Sequence, residues 1–173
     1  MKHKLAIFGG RPLFPNKVYL TRPVVPTIEE LLPSIQEILS SRWLTNNGVY
    51  VQNFEEELKK FLNIPYCSVF CNGTLALHLA IRALRLSGEV ITTPFTFSAT
   101  THVLYWNNIT PVFCDIDPET YNINIEKFES LISPKTTGVL PVHVFGNPCK
   151  VKEIEKISAY HGLKIIYDAV WLG

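Results

Sequence analysis

No Gly-x-x-x-x-Gly-Lys and no Gly-x-Gly-x-x-Gly pattern occurs in the 173 residues. The first absence argues against a P-loop and the second against a dinucleotide fingerprint. Both need glycines at fixed offsets so that main-chain amides can close on phosphate. Long apolar runs are also missing. The run Leu5-Ala6-Ile7-Phe8 is too short for a signal-peptide core, and nothing approaches the length of a membrane span. A cytoplasmic location and no membrane partner are therefore expected. Excess charge of one sign is lacking as well. Sixteen Lys and Arg against 15 Asp and Glu leave a formal charge of +1, which gives no reason to expect nucleic acid. The chain shows no internal repeat and no low-complexity segment.

Cysteine is sparse, with Cys67, Cys71, Cys114 and Cys149 only. Three of them lie in or beside apolar runs and read as buried free thiols, because cysteine packs as a small hydrophobe. Zinc is the alternative. Cys67 and Cys71 on one strand would stand about 13 Å apart, too far for one tetrahedral ion. His143 and Cys149 could approach each other, but no second pair joins them, so no metal site is expected.

What is present is alternation. Residues 1–26 carry Pro12, Pro15, Pro23 and Pro26 and read as an extended arm. Thr27-Ile28-Glu29-Glu30 is a capping box that opens a helix to about Leu39, with Pro33 expected to delay its start or kink it. Ser41 to Gly48 reads as a loop, and Val51, Phe54, Leu58, Phe61 and Leu62 form a helical stripe. Strands are expected at 66–70, 89–92, 110–114, 137–142 and 163–167. Helices are expected at 74–86, 98–106, 125–132 and 151–160. The helix from Thr74 is apolar all round and should be largely buried. Short apolar strands alternating with helices imply an α/β fold, a mostly parallel sheet flanked by helices on both faces.

In such sheets ligands collect at the carboxyl ends of strands, and three such ends, with one further segment, carry chemistry. Asn72-Gly73-Thr74 is either a plain helix cap or a phosphate seat built from free helix-start amides, a glycine that permits close approach and a hydroxyl. Thr93-Pro94-Phe95-Thr96-Phe97-Ser98 offers an aromatic ring, for core packing or for a planar cofactor. Asp168, at the end of the last apolar run, is either a surface acid or helix cap, or a carboxylate facing a pyridine nitrogen. His143, in Pro141-Val142-His143-Val144-Phe145-Gly146-Asn147-Pro148, is a structural residue beside a tight turn or a substrate-side group.

In this order and spacing, the chain resembles the nucleotide-sugar aminotransferases of the DegT/StrS type. The matching stretches are Arg42 to Gly48, Asn72 to Ala80, Val90 to Phe97, Pro111 to Asp117, Pro141 to Pro148 and Ile165 to Ala169. The resemblance implies the aspartate-aminotransferase-like fold (fold type I) with pyridoxal 5'-phosphate (PLP) as cofactor. It implies that Gly73 and Thr74 hold the phosphate, Phe97 stacks on the pyridine ring and Asp168 pairs with the ring nitrogen. Thr45 and Asn46 would lie near the nucleotide-sugar entrance. The full-length relatives are homodimers that move an amino group from a donor such as glutamate to a keto nucleotide sugar.

The sequence departs from that family in two ways. Trp171 stands where relatives carry a Gln or His on the cofactor's phenolic oxygen. No lysine follows Lys164, so the Schiff-base lysine and the small C-terminal domain are not among these residues. The expectation is the N-terminal part of the large domain: an arm over 1–26 and an incomplete, truncated PLP-transferase domain over 27–173. On that expectation PLP binding is weak or absent, no catalytic residue is assigned, and the chain is inactive alone and prone to associate as a homo-oligomer. The ending Val170-Trp171-Leu172-Gly173 reads as the product of a small gene deletion, the rival being a chosen chain boundary. Two other readings stand beside this one: a non-catalytic module that dimerises or binds a nucleotide sugar, and a generic nucleotide-binding α/β domain.

Overall fold

The structure is a computed structural model in which residues 4–19 and 22–170 are described. Trp171 lies outside the described residues. The chain divides into two compact units, Met1–Phe54 and Glu55–Gly173.

In the first unit, a 3-10 turn at Ala6–Phe8 precedes helix α1, Ile28–Ser41. The capping box closes as the sequence implies: the Glu30 amide donates to Thr27 Oγ1 at 3.4 Å and the Thr27 amide to Glu30 Oε2 at 2.8 Å. Pro33 has no N–H to offer the Glu29 carbonyl, yet α1 begins before it and runs past it. A turn with Arg42 and Asn47 at positive φ then leads into α2, Val49–Leu62. No described residue from Lys4 to Phe54 is buried.

The second unit contains the sheet. Its elements are α3 (Gly73–Ala83), β1 (Glu89–Thr92), α4 (Ser98–Trp106), β2 (Thr110–Phe113), α5 (Ile125–Phe128), β3 (Thr136–Leu140), α6 (Val151–His161) and β4 (Lys164–Ile165). The order across the sheet is β2-β1-β3-β4, all parallel. The period of two along each strand divides the core. Val90 and Leu140 join Leu77, Ile81, Val103 and Leu104 from α3 and α4 on one face. Ile91 and Val139 join Cys114, Ile123, Phe128, Cys149 and Ile154 from the α5 and α6 side on the other. Burial on both faces explains why the strands read as continuous apolar runs.

Three expectations need correction. Residues 66–70 run without helix or ladder pairing, because alternation of side chains does not distinguish a paired strand from an unpaired extended segment. The α3 helix buries only Leu77 and Ile81, on the face it turns to the sheet, while Leu75 and Leu79 remain 44% and 46% exposed. Of the thiols, Cys114 and Cys149 are buried, whereas Cys67 is half-buried and Cys71 exposed. Burial pushes the Cys114 and Cys149 thiols up to about 11, so neither is ionised near neutral pH. Among the described residues no helix is long and apolar enough to cross a membrane.

Candidate functional site

The β4 ladder ends at Ile165, but the chain beyond it stays in register with β3. The Asp168 amide donates to the Pro141 carbonyl and the Asp168 carbonyl accepts from the His143 amide, both at 2.9 Å. A parallel bridge between Val142 and Asp168 results. These two bonds put the Asp168 carboxylate at the carboxyl edge of the sheet, where it is 4% exposed. Thr100, fully buried in the first turn of α4, donates its hydroxyl to Asp168 Oδ2 at 2.7 Å. Thr96 and Thr100 Oγ1 atoms lie 2.7 Å apart, which extends the bonded chain toward the β1–α4 junction. The Val170 amide donates to Asp168 Oδ1 at 3.3 Å. A buried carboxylate is costly unless donors reach it, and these two supply what the site needs.

The start of α3 faces the same space. Asn72 is extended (φ −163°, ψ 163°) and its Oδ1 accepts the Leu75 amide at 2.9 Å. The cap reading of this segment is therefore realised at Asn72. It leaves the first helical amides, at Gly73 and Thr74, without a carbonyl four residues back, and with the partial positive charge of the helix start. Gly73, Thr74, Phe97 and Asp168 line one cavity of about 230 Å³, together with Asn72, Leu77, Ala99, Thr100 and Val170. Phe97 enters it as the residue that precedes α4, with its ring 66% exposed.

The cavity thus has an amide-and-hydroxyl end at Gly73 and Thr74, an apolar wall at Leu77, Ala99 and Phe97, and a carboxylate end at Asp168. That donor set fits a flat ring with an anionic arm on one side and a protonatable nitrogen on the other. One side chain intrudes. A Cβ placed on Gly73 would stand 2.8 Å from Val170 Cγ2.

The other sequence-derived candidates are not among the residues that line this cavity. His143 does not line the cavity. Its Nδ1 accepts the Cys149 amide at 3.1 Å, and its ring stacks on Tyr167 with centroids 5.1 Å apart. Burial lowers its pKa and the nearby Asp168 opposes that shift. Thr45 and Asn46 belong to the first unit. Thr45 lines a separate cavity with Trp43 and Tyr50, and the Asn46 carbonyl accepts Trp43 Nε1 at 3.2 Å. Among the described residues no three His, Cys, Asp or Glu side chains are grouped as a metal ion requires.

Sequence reasoning missed Thr100 and Val170. Nothing in the sequence marked Thr100: Thr96 precedes the N-cap Phe97 and lies outside α4, so no helical spacing pairs the two. Nothing marked Val170 either, since its role depends on which way the chain turns after Asp168.

The profile of the DegT/DnrJ/EryC1/StrS aminotransferase family matches residues 26–170. A dTDP-4-amino-4,6-dideoxy-D-glucose transaminase of Escherichia coli is 49% identical over 150 residues, which cover 87% of this chain and 40% of that protein. A GDP-perosamine synthase of Escherichia coli O157:H7 is 34% identical over 136 residues, 78% of this chain and 37% of that protein. Among solved structures, DesI in the presence of its TDP-sugar product superimposes with a TM-score of 0.90 and 36% identity, over 97% of this chain and 43% of that one. NtdA from Bacillus subtilis with bound cofactor PMP gives 0.79 and 32%, over 89% and 38%. The chain spans about 40% of the length of the curated relatives it matches. Its parallel sheet with flanking helices is that of the fold type I aminotransferases.

Proposed function

The chain belongs to the DegT/DnrJ/EryC1/StrS aminotransferase family, and on that premise we propose that its cavity is a PLP seat, serving amino transfer to a keto nucleotide sugar. The observation that carries this reading is the single cavity shared by Gly73, Thr74, Phe97 and Asp168. When bound, the cofactor supplies an electron sink at its pyridine ring. The Gly73 and Thr74 amides and the Thr74 hydroxyl bind the phosphate, and Phe97 lies against the ring. Asp168 holds a proton on the ring nitrogen, and Thr100 positions Asp168 by fixing Oδ2. The sugar nucleotide and a glutamate-type donor are inferred from the relatives' names and chemistry, as is use in surface-polysaccharide or related sugar biosynthesis.

No lysine lines the cavity. Lys164, the last lysine, lies in β4 with its Nζ on the Leu84 carbonyl. Proton transfer at the reacting carbon therefore needs a group from outside these residues, and the chain alone binds cofactor without turning over. A non-catalytic module that dimerises or holds a nucleotide sugar is the second reading.

One experiment addresses both. Fluorescence titration of the purified chain with pyridoxamine 5'-phosphate is expected to saturate, and added keto sugar nucleotide and glutamate to give no repeated turnover. Absence of saturable binding would overturn the PLP seat, and multiple turnovers would overturn the inactivity.

Association is the other part of this reading. Leu31, Leu32, Ile35 and Leu39 on α1 are 40%, 46%, 39% and 59% exposed. A stripe of that kind on a helix that buries nothing is normally covered by protein. Sedimentation velocity is expected to show a homo-oligomer or larger species, and a monodisperse monomer would contradict it.

A further inference from the structure

We propose that Val170 is a wedge over the phosphate seat, and that residue 170 sets how tightly the cavity takes a phosphorylated ring in preference to an unphosphorylated one. The inference rests on the reading of this cavity as a PLP seat. Gly73 is useful to an anion because the position of its absent Cβ is open to a close neighbour. Here Val170 takes that position: its Cγ2 comes within 2.8 Å of where a Cβ would be, and Cγ1 within 3.8 Å. Ordinary contact begins at about 3.5 Å between carbons. A phosphate drawn against the Gly73 backbone and the Val170 methyls claim the same volume.

Two features keep the wedge in place. The Val170 amide is bonded to Asp168 Oδ1, so the main chain at 170 is tied to the carboxylate. Valine is also β-branched and has few χ1 settings to retreat into. With Thr100 on Oδ2, both oxygens of Asp168 are engaged. A protonated ring nitrogen arriving at Asp168 competes with the Val170 amide for Oδ1, so the ring end and the phosphate end of the cavity both press on the same residue. An unphosphorylated ring needs only the Phe97 and Asp168 end and leaves the Gly73 overlap untouched.

The test is a set of fluorescence titrations of the full chain with pyridoxamine 5'-phosphate and with pyridoxamine. Val170→Ala is expected to tighten the phosphorylated ligand about five- to thirtyfold, the usual effect of relieving an overlap of one or two methyls. Pyridoxamine affinity should stay unchanged, and Val170→Ile should weaken the phosphorylated ligand below wild type. Val170 is 66% exposed, so its truncation leaves the core intact, and the melting curve verifies this. Unchanged or weaker phosphate-ligand binding in Val170→Ala overturns the wedge, as does an equal gain for both ligands. If wild type binds and loses binding on Asp168→Ala but ignores residue 170, the wedge fails and the PLP reading stands. If neither wild type nor Val170→Ala binds, both fail.

Discussion

Replacing Asp168 with alanine is expected to weaken pyridoxamine 5'-phosphate binding about thirtyfold or more, the cost of removing one partner from a buried charge-assisted contact. The carboxylate is 4% exposed and lies in the cavity that Gly73, Thr74 and Phe97 also line. Its removal takes a charged acceptor from the buried Thr100 hydroxyl and leaves it only Thr96 Oγ1, so Asp168→Ala should lose some fold stability as well. Asp168→Asn separates the two effects. The amide oxygen can still accept from Thr100, although the NH2 then faces the Val170 amide, so melting should fall less than in Asp168→Ala, while the negative charge that a protonated ring nitrogen needs is gone. Parallel titration and thermal denaturation of the two variants measure this. If Asp168→Ala binds the ligand as tightly as wild type, the carboxylate is not the ring's partner.

Phe128→Ala is expected to cost about 3–5 kcal/mol, a large share of the 5–15 kcal/mol that holds a typical domain folded. Phe128 is fully buried in the core cluster that also holds Ile91, Val139 and Ile154. It belongs to α5, a helix of four residues whose start is held by Asn124 Oδ1 on the Glu126 amide at 2.9 Å. A helix of that length has no stability of its own, so its packing residue is what keeps it formed. Urea denaturation followed by circular dichroism measures the change. A loss below about 1 kcal/mol would mean that the α5 side of the sheet collapses around the gap.

Much of the fold was legible because local signals and tertiary demands agree. The Thr27 capping box, the β1 run Glu89–Thr92 and the α4 span Ser98–Trp106 each appear where the residues place them. The failures have physical reasons. Tyr66 to Phe70 has the composition of a strand, but a ladder needs a neighbour, and pairing is not a property of one segment. Leu75 and Leu79 are as apolar as Leu77, yet only the helix face turned to the sheet is buried. The site was legible as a set of strand ends, since an α/β sheet gathers them along one edge. The contacts within it were not. That Thr100 would hold Asp168, or that Val170 would fold back over Gly73, depends on distances that no spacing rule encodes.

The main-chain bonds from Asp168 to Pro141 and His143 have a mechanical result. Asp168 comes three residues after the last ladder residue of β4, yet it is laced to the continuation of β3, a strand with neighbours on both sides. Its carboxylate therefore inherits the stiffness of the middle of the sheet rather than the looseness of a loop. Whatever leans on that acid pushes against the frame of the molecule.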